Sequence, residues 1–138
     1  GTILRTADSV GAGAVVLVGP SCDPFGVEAV RASMGSIFAM KLARASFDEL
    51  RAFANKRSAR IVGASLKGAH LPEASEIGAR TILLMGNEQS GLPEEMEAAC
   101  DALVRIPMKG RADSLNLAIA TAVMAYDLWR RRGYDGAR

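Results

Sequence analysis

The chain has 138 residues, of which 49% are hydrophobic, so it is long enough for one hydrophobic core and too short for two ordinary domains. Its 17 Lys and Arg exceed its 15 Asp and Glu by only two, a balance that does not by itself indicate nucleic-acid binding. It begins with no charged and apolar leader, has no apolar run long enough to span a bilayer, and carries two widely separated cysteines, Cys22 and Cys100. We therefore expect a cytoplasmic, non-membrane protein with reduced thiols. The sequence alone does not decide whether the two cysteines form a disulfide.

Helices and strands alternate along the first half of the chain. Apolar residues at helical spacing predict a first helix over residues 2–10, and Arg5 on its polar side is either a solvated charge or a functional one. Ser46 and Glu49 form a capping box that predicts the start of a later helix. The elements predicted in this half are a helix at residues 2–10, strands at 14–18, 37–42 and 60–66, and helices at 25–34 and from 46 to about 56.

Two polar loops follow strands in the second half of the chain. A strand at residues 81–85 ends in a loop at 86–91, and a strand around 104–106 ends in a loop at 107–114. The other elements predicted here are a loop at residues 67–78, a helix at about 94–101 and a last helix that ends near residue 132.

This alternation predicts an α/β fold with a mostly parallel sheet flanked by helices on both faces. Ligands of such sheets bind beyond the carboxyl ends of the strands, so we expect a ligand between the two polar loops. Neither loop has a Walker or Gly-x-Gly-x-x-Gly pattern, which favours a small, polar, partly adenine-like ligand over phosphate. We expect no metal site, because His70 is the only histidine and no Cys or carboxylate cluster has ligand spacing.

The last helix is apolar around most of its circumference. Its apolar side chains are those of Leu115, Leu117, Ile119, Val123, Met124, Tyr126, Leu128 and Trp129. We expect the helix to be buried on more than one side, and we favour a homodimer contact over a merely central position. The three arginines at residues 130–132 then either match the helix dipole or belong to a basic rim.

Three blocks of the sequence resemble the motifs of the SpoU branch of the SPOUT class, the RNA ribose methyltransferases that use S-adenosylmethionine. Residues 1–7 with Arg5 resemble the first motif, 84–92 the second, and 106–108 with 114–116 the third. The blocks occur in this order and cover nearly the whole chain. The sequence departs from the family in two places. The asparagine and strand that usually precede the first motif are not in this sequence, and Gln89 stands where many members have glycine.

The resemblance implies a fold and a set of site residues. The fold is an α/β domain whose C-terminal part forms a deep trefoil knot, and residues 1–138 would be a catalytic domain lacking its first strand and any N-terminal substrate-recognition segment. The cofactor implied is S-adenosylmethionine, with contacts from Leu66, Met85, Gly86, Asn87, Gly91, Ile106, Met108, Ser114, Leu115 and Asn116. The catalytic residues implied are Arg5, Asn116, Ser114 and Glu88. The candidate RNA contacts are Arg5, Lys67, Lys109 and Arg111, together with the terminal arginines.

The activity implied is methyl transfer to a ribose 2′-hydroxyl of tRNA or rRNA by a homodimer. We favour Arg5 as a phosphate clamp and stabiliser of the developing alkoxide over a general base, because a guanidinium stays protonated in proteins. Two alternatives stay open: a non-catalytic RNA-binding or assembly module on the same fold, and an unrelated α/β domain that binds ATP or NAD. The residues do not identify the RNA.

Overall fold

The structure is a computed structural model that describes residues 1–71 and 80–138 of the chain. Within it the chain forms two compact units, Gly1–Leu50 and Arg51–Arg138. Of the helices in the described ranges, none combines the length and apolar character that crossing a bilayer requires.

The first unit contains a pair of parallel strands and three short helices. Its elements are α1 (Thr2–Ser9), β1 (Val15–Val18), α2 (Val27–Ala32), α3 (Ser36–Ala39) and β2 (Leu42–Ala45). Strands β1 and β2 pair in parallel, from Val15 opposite Leu42 to Val18 opposite Ala45. Helix α1 buries Leu4, and the buried Ser36 donates a hydrogen bond from Oγ to Oδ2 of Asp8 at 2.7 Å. That bond ties α1 to α3.

The strand predicted at residues 37–42 is wrong. Gly35 takes φ 89°, a conformation that L side chains rarely adopt, and it serves as the N-cap of α3. Ile37 is buried within that short helix, and the strand begins only at Leu42. A short apolar run fits a buried helical turn as well as a strand, so hydrophobicity alone could not decide between them.

Helix α4 (Phe47–Arg57) begins with the predicted capping box. Ser46 Oγ accepts a hydrogen bond from the backbone N–H of Glu49 at 3.1 Å, and Glu49 Oε2 accepts one from the backbone N–H of Ser46 at 2.7 Å. The bond from the Ser46 backbone lowers the pKa of Glu49 below its ordinary 4.5. Lys56 and Arg57 occupy the last turn, where cations match the helix dipole.

The second unit is built on a three-stranded parallel sheet in the order β4-β3-β5. Its elements are β3 (Arg60–His70), β4 (Thr81–Leu84), α5 (Glu94–Ala98), β5 (Ala102–Arg105) and α6 (Leu117–Arg131). Val62 in the middle strand and Val104 in β5 are fully buried, and Met124 of α6 packs with them. The core therefore lies between the middle of the sheet and α6.

Strand β3 is longer than predicted. The prediction ended it at Leu66 and placed residues 67–78 in a loop, but the strand continues to His70. It regains its partner because Ala69 and His70 pair with Val104 and Arg105 of β5. Lys67 and Gly68 have poor strand propensity, which explains why the sequence suggested a loop. The rest of that predicted loop, residues 72–78, lies outside the described residues.

The ends of α5 and β5 also differ from the prediction. Helix α5 ends at Ala98, and Asp101, predicted as its last residue, instead precedes β5. Its Oδ2 accepts a hydrogen bond from the backbone N–H of Ile61 at 2.7 Å. Ile106 lies just beyond β5 and packs against the core. Both cysteines are free thiols, and burial raises the pKa of Cys100.

The predicted α/β class is confirmed, since all the paired strands of the described residues run parallel. The strands form one sheet in each unit, where the sequence suggested a single sheet. The trefoil knot stays a prediction.

Candidate functional site

The loop after β4 is closed on itself at Asn87 and Gly91. The backbone N–H of each residue donates to the carbonyl of the other, at 3.0 and 2.8 Å. Gly86 lies so close to this bridge that a Cβ there would stand 2.2 Å from the carbonyl carbon of Gly91 and 2.4 Å from the nitrogen of Leu92. Gly91 itself has φ 68°. Both glycines are therefore required by the shape of the loop.

The side chain of Asn87 organises the inside of this loop. Its Oδ1 accepts from the backbone N–H of Gln89 at 2.9 Å and, more weakly, from that of Ser90 at 3.3 Å. Gln89 is exposed and does not have a positive φ, so the loop has no need of glycine at that position. The departure from the family motif is thus accommodated without backbone strain.

Glu88 connects this loop to the start of α6. Its Oε1 accepts from Nδ2 of Asn116 at 2.7 Å and from the backbone N–H of Leu117 at 3.3 Å. Asn116 is the N-cap of α6, and its Oδ1 accepts from the backbone N–H groups of Ala118 and Ile119. A carboxylate is favourable at this end of a helix because of the helix dipole. The structure therefore brings together two of the predicted catalytic residues.

The loop after β5 runs from the core to the surface. Ile106 at its start, like Met85 after β4, packs against the buried cluster around Val62 and Val104. Farther along, Met108 is 40% exposed and Ser114 is exposed, while Leu115 is half-buried. The predicted cofactor contacts thus comprise core-packed residues at the base of each loop and exposed ones farther out.

Leu66 belongs to the same edge of the sheet. It lies in β3, the middle strand, and is 65% exposed. Gly63 pairs with Leu84 at the end of β4, and Ala64 pairs with Val104 near the end of β5. Because the three strands are parallel, their carboxyl ends meet at one edge, and Leu66 lies there with the starts of both loops.

The predicted RNA-contacting cations differ in their surroundings. Lys67 is paired with Glu97, its Nζ 2.8 Å from Oε2, although its side chain is 69% exposed. Lys109 and Arg111 are exposed and have no ion-pair partner among the described residues. Arg130 and Arg131 both pair with Asp127, so the terminal arginines mainly complete the end of α6. The pairing of Lys67 was not foreseen.

Two residues of this region escaped the sequence prediction, Ser65 and Glu97. Ser65 Oγ donates to Oε1 of Glu97 at 2.5 Å, while Lys67 occupies the other carboxylate oxygen. No motif contains either residue, and they are 32 positions apart in the chain. The only signal in the sequence was the i, i+2 spacing of Ser65 and Lys67, which puts both on one side of a strand.

Arg5 lies in the first unit, on an exposed position of α1. Its side chain has no hydrogen-bond or ion-pair partner among residues 1–71 and 80–138. A guanidinium in this state is available to an external anion.

His70 lies in β3 opposite Arg105, half-buried. In the part of the chain that the structure describes, no three His, Cys, Asp or Glu side chains are grouped to hold a metal ion.

Helix α6 is buried on one side within the single chain. Thr121 and Met124 are buried, whereas Ile119, Val123 and Tyr126 are 53%, 41% and 43% exposed. These three exposed residues recur at helical spacing and form one apolar stripe, which we call the α6 stripe. Within residues 1–71 and 80–138, the expected burial of a second side is therefore not provided.

Sequence comparisons match the chain to RNA methyltransferases. A family model described as the SpoU rRNA Methylase family matches residues 1–126. The chain is 34% identical over 138 residues to a 23S rRNA (uridine(2479)-2'-O)-methyltransferase of Streptomyces viridochromogenes, with 96% of this chain and 48% of the relative covered. It is 31% identical over 136 residues to the 23S rRNA (guanosine(2553)-2'-O)-methyltransferase RlmP of Bacillus subtilis, with 93% and 52% covered. The chain thus spans about half the length of the curated relatives it matches.

Solved structures show the same likeness. An AdoMet-bound rRNA methyltransferase from Sinorhizobium meliloti is 45% identical with a TM-score of 0.85, covering 94% of this chain and 50% of that one. The SpoU methyltransferase AviRb from Streptomyces viridochromogenes, in complex with AdoMet, is 31% identical with a TM-score of 0.87, covering 99% and 53%.

Proposed function

Since this chain belongs to the SpoU rRNA Methylase family, we propose that it is an S-adenosylmethionine-dependent enzyme that methylates a ribose 2′-hydroxyl of RNA. The observation that carries the proposal is the 2.7 Å bond between Asn116 and Glu88, which joins two polar loops at the carboxyl edge of a parallel sheet. Ligands of α/β proteins bind at such an edge. Two relatives named as 23S rRNA 2'-O-methyltransferases and two AdoMet-bound neighbours support the assignment.

The residues at this edge suit the proposed cofactor. Leu66 and Met108 offer exposed apolar side chains for the adenine and the methionine arm. No backbone–backbone hydrogen bond among the described residues involves residues 107–115, and we propose that their N–H and carbonyl groups bind the polar parts of the ligand. The full set of proposed contacts is Leu66, Met85, Gly86, Asn87, Gly91, Ile106, Met108, Ser114, Leu115 and Asn116.

When bound, S-adenosylmethionine supplies an electrophilic methyl group, so the protein's main task is to orient the attacking hydroxyl. We assign Glu88, Ser114 and Asn116 to the arrangement of this site. Arg5 would hold an RNA phosphate and stabilise the negative charge that develops on the ribose oxygen. A guanidinium does not act as a base in proteins, so the hydroxyl proton leaves to another acceptor, for which an RNA phosphate is our candidate.

The exposed Lys109 and Arg111 would bind RNA phosphates beside the site. With so few cations, RNA binding by this chain should be weak and strongly dependent on salt. The target would be tRNA or rRNA, and the names of the relatives favour rRNA. We place the enzyme in the cytoplasm and regard residues 1–138 as its catalytic domain.

We further propose that the active form is a homodimer in which the α6 stripe is covered by a second copy. Three large apolar side chains in a row, each at least 41% exposed, favour an interface over contact with water.

Two measurements test the proposed function. Calorimetric titration with S-adenosylhomocysteine should show saturable binding, whereas an unrelated nucleotide-binding domain would ignore it and bind ATP or NAD. Tritiated S-adenosylmethionine should then label unmodified rRNA. Cofactor binding without transfer to either rRNA or tRNA would instead indicate a non-catalytic RNA-binding module on the same fold.

A further inference from the structure

The middle strand of the second unit leaves the sheet for four residues and then returns. Ala64 and Ala69 both pair with Val104, so residues 65–68 have no partner on β5. We call this segment the β3 excursion. It begins just beyond Gly63, which pairs with the last residue of β4, and it lies level with the end of β5. It therefore lies at the edge from which both polar loops start.

Glu97 of α5 holds the β3 excursion through both of its carboxylate oxygens. Oε1 accepts from Ser65 Oγ at 2.5 Å, and Oε2 accepts from Lys67 Nζ at 2.8 Å. The Glu97 side chain is only 11% exposed, so it faces the β3 excursion and not the solvent. Leu66 lies between the two held residues and is 65% exposed.

Gly68 fixes the return of the segment to the sheet. A Cβ at this position would stand 2.5 Å from the backbone carbon of Leu103 and from the nitrogen of Val104. The backbones meet here more closely than any side chain permits. The excursion is thus anchored by Glu97 at its start and by a close backbone contact at its end. Bulges of this kind commonly re-aim a side chain beside a functional site.

We propose that Glu97 is a positioning residue for the cofactor: by holding Ser65 and Lys67, it keeps Leu66 turned toward the apolar part of bound S-adenosylmethionine. This inference rests on the proposed function. We call the hydrogen-bonded group of Ser65, Glu97 and Lys67 the clamp. The inference also changes the role of Lys67, because its ammonium belongs to the clamp and is not an RNA contact.

The charge states at neutral pH agree with such a clamp. The hydrogen bond from Lys67, and then that from Ser65, lower the pKa of Glu97 below its ordinary 4.5. The same carboxylate raises the pKa of Lys67 above 10.5. The clamp is therefore charged at neutral pH. It is lost as the pH falls below 4.5 through the lowered pKa of Glu97, and again as the pH rises above 10.5 through the raised pKa of Lys67.

The test compares Glu97→Ala with Glu95→Ala in the full chain. Glu95 is an exposed glutamate of the same helix that takes no part in the clamp, so it is the matched control. Calorimetry with S-adenosylhomocysteine should show affinity lowered about tenfold in Glu97→Ala, the scale expected when an orienting partner is removed, and unchanged in Glu95→Ala. Glu97→Gln keeps an acceptor for Ser65 and should fall between them. Wild-type affinity in Glu97→Ala would overturn the inference.

Lys67→Ala separates the clamp from an RNA contact. The clamp predicts weaker S-adenosylhomocysteine binding, with RNA affinity and its salt dependence unchanged, measured on bulk unmodified rRNA. An RNA contact predicts the reverse, with the salt slope reduced by about 0.7–0.9, and that result would overturn the inference.

If Glu97→Ala fails to fold, Leu66→Ala provides a second test of the inference. Leu66 is largely exposed, so its replacement should leave the fold intact. The variant's affinity for S-adenosylhomocysteine should also fall, and an unchanged affinity would overturn the role of the excursion. If the unaltered chain itself bound no S-adenosylhomocysteine, the proposed function would fail. If it bound normally while the variants equalled it, only this inference would fail.

Discussion

The side chain of Asn116 has two hydrogen-bonding functions at once. Its Oδ1 caps α6 through the N–H groups of Ala118 and Ile119, and its Nδ2 donates to Glu88. The sequence predicted that the polar loop before α6 forms part of a ligand site. The structure shows that the cap and the link between the two loops are made by opposite ends of one amide, so the two functions can be separated by substitution.

Asn116→Ala removes both functions, whereas Asn116→Ser keeps a capping oxygen and cannot reach Glu88. We expect the free energy of unfolding to fall by about 1 kcal/mol in Asn116→Ala and to be largely restored in Asn116→Ser. Affinity for S-adenosylhomocysteine should fall in both. Urea unfolding and calorimetry measure the two effects, and full affinity in Asn116→Ser would show that the link to Glu88 has no part in cofactor binding.

If Arg5 stabilises the transition state as proposed, Arg5→Ala should lower kcat by about a hundredfold at saturating RNA. Arg31→Ala is the matched control, since Arg31 is another exposed arginine of the first unit. Steady-state methyl-transfer kinetics on rRNA distinguish the outcomes. A raised KM with normal kcat would show that Arg5 binds RNA and takes no part in the chemical step.

For individual residues, the sequence predicted those that belong to a motif and missed those that lie outside the motifs. Glu88, Asn116 and the two required glycines stand in contiguous blocks whose residue types reveal their chemistry. Glu97 and Ser65 meet only because β3 and α5 are brought together by the fold, and no local pattern records that contact. Lys67 looked like a free cation for the same reason.

Among the elements, the best predicted are those whose ends carry their own hydrogen bonds. The start of α4 was predicted because Ser46 and Glu49 satisfy each other's backbone groups. The strand predicted at residues 37–42 failed because an apolar run carries no such marker, and Gly35 began a helical turn instead. Strand β3 was cut short because Lys67 and Gly68 suggest a loop, while the pairing of Ala69 with Val104 resumes the strand.

The capping box gives a pH-dependent test of α4. Because the pKa of Glu49 is lowered, its stabilisation is present above pH 4.5 and is lost as the pH falls below that value. Glu49→Gln should therefore be less stable than wild type at pH 7, and the difference should vanish in strong acid. Thermal unfolding across this range measures it, with Asp48→Asn in the same turn as control. A difference that persisted in acid would show that the charge of Glu49 is not responsible.

For the whole molecule, the family membership and the parallel α/β fold agree between sequence and structure. The division into two units was not predicted, since hydrophobic patterns identify strands without saying which sheet they join. Similarly, the hydrophobicity around most of α6 predicted burial on more than one side, and the part of the chain that the structure describes covers one of them.

The α6 stripe should therefore control assembly. Replacing Ile119 and Val123 with Ser should convert a dimer into a monomer in sedimentation velocity, because the interface would lose its central apolar contacts. Met124 faces the core of the chain and must be left unchanged. Ser replacement of the exposed Val16 and Leu66 serves as a control for lost apolar surface elsewhere. A wild-type chain that sediments as a monomer at all concentrations would contradict the homodimer.

The most direct test asks where on the RNA the methyl group is placed. Unmodified rRNA labelled by the chain with tritiated S-adenosylmethionine is digested with alkali, which cleaves RNA only where a free 2′-hydroxyl can attack the neighbouring phosphate. Methylation of the ribose 2′-oxygen predicts label in alkali-resistant dinucleotides, and Arg5→Ala should slow its appearance about a hundredfold. Label recovered in mononucleotides would place the methyl group on a base and contradict ribose 2′-O-methylation.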